Sequence, residues 1–107
     1  MLDHDAMMKA VREAQEKRRQ KDFPHLKEGY TFKPDGRSGI VYYKEDAQIL
    51  EIEWEMSGVR QFDILVFLEG IQNWTRSEGE PIPLEKKEQI LTGLKEFLLA
   101  KKIRPDF

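Results

Sequence analysis

A chain of 107 residues that is 39% hydrophobic, 36% charged and free of cysteine has room for one core and no second one. At that length folding buries roughly 60–70% of the surface of the unfolded chain, so one core stands without disulfides or a structural metal. Disulfide scaffolds, thiolate metal sites and thiol nucleophiles are excluded by composition, and no run approaches the ~20 apolar residues of a membrane span. The net charge of −2 hides an uneven distribution. Residues 1–44 carry ten Lys/Arg against seven Asp/Glu, residues 45–81 two against nine, and residues 82–107 six against four. The strongly acidic middle speaks to partners and association rates rather than to fold. Asp3 and Asp5 stand where a secretory signal would be basic, which leads us to expect a cytoplasmic protein.

In chain order, Asp3 to about Lys21 reads as a helix, with Asp3 or Asp5 available to accept from the free N–H groups at its start. Its apolar face is thin: Met7, Ala10, Val11 and Ala14 share a face, while Gln15 to Lys21 offers nothing to bury. The second half is therefore expected to be solvent-exposed, while the helix as a whole is left open between docking on its own core and mediating dimerisation. Asp22-Phe23-Pro24 ends the helix, because the residue before proline is pushed out of the α region.

From Tyr30 the period becomes two. Tyr30–Phe32 and Ile40–Tyr43 read as strands around the Pro34-Asp35-Gly36 turn signal. Ala47–Met56 is a third strand after Lys44-Glu45-Asp46, and Ser57-Gly58 offers a two-residue loop into a fourth, Val59–Leu68. The third is the most informative: Leu50, Ile52, Trp54 and Met56 form an apolar row, and Glu51, Glu53 and Glu55 project from the other face. The fourth is apolar on both faces, so it should lie inside the sheet, or near an end where something covers both sides. A polar connection with Ser77-Glu78-Gly79-Glu80-Pro81 leads to a helix over Leu84–Lys102, with Leu84, Ile90, Leu91, Leu94, Phe97 and Leu98 in one sector and Pro83 suited to the first helical position. The expected fold is α+β: a four-stranded antiparallel meander sheet, the C-terminal helix packed on one face and a peripheral N-terminal helix. It forms a single domain over 1–107, with a helical extension at 1–24 and a core at 29–103.

Candidate chemistry is sparse. His4 and His25 stand in no metal or triad spacing, and no glycine pattern cradles a phosphate, so no cofactor or metal is expected. Glu53 and Asp63 are the carboxylate pair to inspect for acid/base work, which needs a pocket that separates their pKa values. The expectation is a protein that is not an enzyme. Lys17-Arg18-Arg19-Gln20-Lys21 is the basic run on which a nucleic-acid or regulatory binding module would depend, yet the chain is acidic and lacks basic residues interleaved with stacking aromatics. Trp54 falls in the core row by alternation. Trp74 is open between a core-edge cap and an interface anchor. Glu51, Glu53 and Glu55, backed by Glu45, Asp46 and Glu69, are either an ordinary wet sheet face or a surface for a basic partner. Together with Trp74 these are the candidate partner-binding residues.

The Gly-Ile-Val-Tyr-Tyr strand, the strand ending Glu-Trp-Glu-Met-Ser-Gly, Phe-Asp-Ile-Leu-Val-Phe leading to Asn-Trp, and the Pro-Leu-Glu-Lys-Lys-Glu-Gln-Ile-Leu helix start resemble small bacterial immunity proteins, the immunity protein 74 family of polymorphic toxin and contact-dependent inhibition systems. The resemblance spans about Gly29 to Ile103. Pro83 departs from it, since the family begins this helix with a Ser or Thr cap. The resemblance implies a non-enzymatic inhibitor of one cognate toxin, the C-terminal domain of a larger effector, and leaves the oligomeric state open. The acidic segment separately suits a cationic toxin such as a nuclease.

Overall fold

The computed structural model describes residues 4–69, 71–76 and 80–107, with the side chains of His4 and Asp5 left aside. Helix α1 (His4–Asp22) leads through a 3-10 turn (Phe23–His25) into strands β1 (Gly29–Asp35), β2 (Ser38–Glu45), β3 (Gln48–Met56) and β4 (Ile64–Val66); α2 (Leu84–Ala100) and a short β5 (Pro105–Asp106) follow. The capping expected of Asp3 or the Asp5 side chain, and positions 77–79 of the polar connection before α2, lie outside the described residues.

The α+β class holds, and the sheet differs from the four-stranded meander in its last member. Its order is β1-β2-β3-β4-β5; the first four strands are antiparallel, and β5 joins β4 in parallel. A parallel partner requires a crossover, which α2 supplies. The chain reaches β5 because α2 ends in a reversal: Ile103 N–H donates to Leu98 O and Lys102 N–H to Leu99 O, both at 2.9 Å, with Lys102 at φ 63°. That is the Schellman pattern with lysine where glycine is favoured.

The β1–β2 turn falls at Gly36-Arg37, where Gly36 takes φ 66°, one residue later than the proline signal suggests. The fourth strand is far shorter than Val59–Leu68, because the β3–β4 connection is not a two-residue loop. Phe62 N–H bonds to Val59 O within that connection, and Asp63 and Ile64 N–H both turn to Arg104 O near the C-terminus.

Alternation on β3 sends Leu50, Ile52 and Trp54 to the α2 side, where they meet Val41, Ile64, Val66, Ile71, Trp74, Ile82, Ile90, Leu94 and Leu98 in the main core. Burying such side chains contributes roughly 1.5–3 kcal/mol each. The α2 stripe is as expected except for Leu84, which is 70% exposed at the first turn because the sheet lies beneath the later turns. Pro83 stands one position before the helix. Tyr30 Oη donates to Ile90 O, and the room for its ring comes from Gly93: a Cβ there would lie 2.5 Å from the hydroxyl. Among the described residues no helix is long and apolar enough to cross a membrane.

Candidate partner-binding face

Directly opposite residues in an antiparallel ladder share a face, so the register gives the layout of the side of the sheet away from α2. Thr31, Tyr42 and Glu51 form one row, Lys33, Ile40 and Glu53 the next, and Asp35, Ser38, Glu55 and Leu65 the third. Phe67 extends the second row, its N–H donating to Glu53 O at 2.9 Å.

Helix α1 lies over the Glu51 end of this face, and it is the half expected to be solvated that docks. Arg18 Nη2 donates to Glu51 Oε2 at 2.9 Å, and Arg19 Nε donates to Oε1. One turn on, Asp22 Oδ2 accepts the Tyr42 hydroxyl at 2.7 Å. The Glu51 side chain is left 8% exposed. Met7, Val11 and the neighbouring alanines, which make up the thin apolar face, are exposed. The expectation fails because hydrophobic period was its only signal, whereas the contact is made by charges. Burial pushes the Tyr42 phenol well above its ordinary range, and the Asp22 bond pushes it further.

Beyond α1 the face is open. A cleft of about 780 Å³ runs between Lys17 and Lys21 of α1, Lys33 of β1, and Glu53 and Glu55 of β3, with Ile40 in its lining and Phe67 at its far side. Glu53 and Glu55 are exposed, and none of these five charged groups forms an ion pair among the described residues. As a strand apolar on both faces suggests, β4 lies inside the sheet, between β3 and β5, yet Phe67 just past it is 39% exposed.

The structure thus gathers Glu51, Glu53 and Glu55 on one face and disperses the rest of the candidate set. Glu45 accepts from Lys86 of α2 and from the Tyr43 hydroxyl, on the other side of the sheet. That bond holds the Lys86 ammonium above its usual pKa. Asp46 occupies the β2–β3 turn at φ 53°, its N–H donating to Glu28 Oε2 at 3.1 Å. Glu69 is exposed past β4. Trp74 is 4% exposed in the main core, its ring stacked 6.3 Å from that of Tyr43.

Nor are Glu53 and Asp63 brought together. Glu53 stands beside Phe67, whereas Asp63 lies before β4 and holds Arg104 through its guanidinium and its backbone N–H. These bonds keep the Asp63 carboxyl below the usual carboxylate range. Among the described residues no group of three or more His, Asp or Glu is placed to hold a metal ion.

Sequence reasoning overlooked Phe67, Leu65 and Tyr42. The signal for the first two was present: the fourth strand puts apolar residues on the face where its neighbour puts glutamates. In comparisons with known proteins, no family model, no curated protein and no solved structure matches the chain significantly.

Proposed function

We propose that this protein binds and neutralises a basic bacterial toxin as an immunity protein does, using the sheet face centred on Glu53, Glu55 and Phe67. The observation that carries the reading is the pairing of two exposed carboxylates of β3, which form no ion pair among the described residues, with the exposed Phe67 ring just past β4, within the acidic middle of the chain. Like charges two residues apart on one strand face repel one another, and a cationic partner converts that cost into attraction. Complementary charge lifts association from the ordinary ~10⁵–10⁶ M⁻¹s⁻¹ toward ~10⁸ M⁻¹s⁻¹ at low salt, and an aromatic beside it supplies the apolar anchor of an interface. The resemblance to small immunity proteins supplies the partner class, the C-terminal toxin domain of a larger effector, and the cytoplasm as the place where the toxin is met. A nucleic-acid module built on residues 17–21 would have to rely on Lys17 and Lys21, since Arg18 and Arg19 are engaged on Glu51.

Co-expression with the product of the reading frame immediately upstream tests the reading. Cells should survive that product only when this chain is present, and Glu53→Lys/Glu55→Lys should lose the protection while the purified variant still melts cooperatively. Full protection by that variant, or an upstream product harmless on its own, would overturn it.

A further inference from the structure

We propose that α1 is a displaceable strap, an internal cationic occupant of the acidic face that a partner's basic segment replaces. The inference rests on the functional reading above and adds to it how the face is regulated. No α1 side chain from Ala6 to Asp22 is buried. The hold of α1 on the sheet is polar: Arg18 and Arg19 on Glu51, and Asp22 on the Tyr42 hydroxyl. Both arginine side chains are 35% exposed. The carboxylate they hold is 8% exposed, but water reaches the arginine side of each pair, so salt weakens the hold and the guanidiniums can leave toward solvent.

The apolar side of the helix adds no grip, since Met7, Met8 and Val11 stay about half exposed. The chain also has a place to bend. Phe23, at the turn that follows α1, packs edge-on against the Tyr42 ring at 5.9 Å, and Leu26 is buried with Ile40, Tyr42 and Ile49. Those anchors keep the turn seated while the helix before it lifts.

Lifting α1 frees Glu51, which heads the row continued by Glu53 and Glu55 at steps of about 7 Å along β3. The result is three carboxylates in line, flanked by the Tyr42 hydroxyl and Phe67. Arginines of a partner would then meet Glu51 with the chemistry that Arg18 and Arg19 use, so the two compete for it.

The test uses the full chain and an oligo-arginine peptide as probe. Amide hydrogen exchange is followed with and without the peptide, and its affinity is measured for the unaltered chain, for Arg18→Ala/Arg19→Ala and for Glu53→Lys/Glu55→Lys. A released helix of this length is marginal in water, so the peptide should speed exchange across α1 while β2 and β3 stay protected. The arginine variant should bind the peptide severalfold more tightly, and the lysine variant should not bind. Binding that leaves α1 exchange unchanged or slowed overturns the strap and leaves the acidic-face reading standing. No binding by either the unaltered chain or the arginine variant, or binding indifferent to the lysine substitutions, overturns that reading and the strap with it. If the arginine variant lacks a cooperative melt, exchange in the unaltered chain decides alone.

Discussion

Gly93→Ala sets two effects of opposite sign against each other, and the structure says which prevails. In a solvent-facing helix turn, replacing glycine by alanine stabilises by about 1 kcal/mol. At Gly93 the new methyl would stand 2.5 Å from Tyr30 Oη and 3.2–3.3 Å from the ring carbons Cζ and Cε2. A flexible side chain would yield at little cost, but this ring is held: it lies 4.9 Å from the Tyr43 ring and 5.4 Å from Phe97, and its hydroxyl donates to Ile90 O. Moving it forfeits about 0.5–1.5 kcal/mol of hydrogen bond and adds roughly 1–3 kcal/mol of overpacking. Against the helix gain, the net is a destabilisation of about 0.5–3.5 kcal/mol, or a fall in Tm of roughly 2–15 °C. Urea and thermal unfolding measure it, and the Tyr30→Phe background should shrink the penalty, since the nearest clashing atom is then gone. A Tm raised by Gly93→Ala would mean that the Tyr30 ring is not held in place.

Three further outcomes follow from the same geometry. Lys102→Gly should stabilise by about 0.5–1 kcal/mol, because glycine occupies the left-handed position after α2 without the side-chain penalty that lysine carries; unchanged or lowered stability in urea would contradict this reading of the reversal. All three tyrosines have raised phenol pKa values: Tyr30 is pushed up to about 12, chiefly by burial, and Tyr42 and Tyr43 are shifted in the same direction for the same first cause. The fold therefore favours the protonated phenols, so their contribution is complete below the ordinary pKa of about 10 and is lost as pH rises through the folded values. Phenolate absorbance should lag a free tyrosine's at pH 10 and then rise together with unfolding; simple titration near 10 with the fold intact would contradict it. The lowered Asp63 carboxyl works in the opposite sense, contributing above its ordinary pKa of about 3.9 and losing that contribution as pH falls through the folded value. The stability gap between the unaltered chain and Asp63→Asn should thus narrow on acidification below about pH 4, and a gap independent of pH would argue against the Arg104 pairing.

Features encoded by local periodicity were legible in the sequence. Period two placed Leu50, Ile52 and Trp54 opposite Glu51, Glu53 and Glu55, and period 3.6 placed Ile90, Leu94 and Leu98 on the buried stripe of α2. Features that depend on distant pairing were not. The two residues of β5 carry no pattern of their own and become a strand only because α2 returns the chain alongside β4. The length of β4 is set by Asp63 and Ile64 bonding to Arg104, some forty residues away in the chain. The docking of α1 is the clearest case. Its second half carries nothing apolar and reads as solvated, but the contact is made there, by Arg18 and Arg19 on a glutamate more than thirty residues on. That capture also divides the candidate site, occupying Glu51 and leaving Glu53 and Glu55 open.

The most direct measurement is calorimetric titration of the product of the upstream reading frame with this chain and with Glu53→Lys/Glu55→Lys, at low and at moderate salt. Tight binding by the unaltered chain that weakens with salt is expected, together with its loss in the variant. Equal binding by the two chains, or binding indifferent to salt, would contradict the claim that this acidic face captures a basic partner.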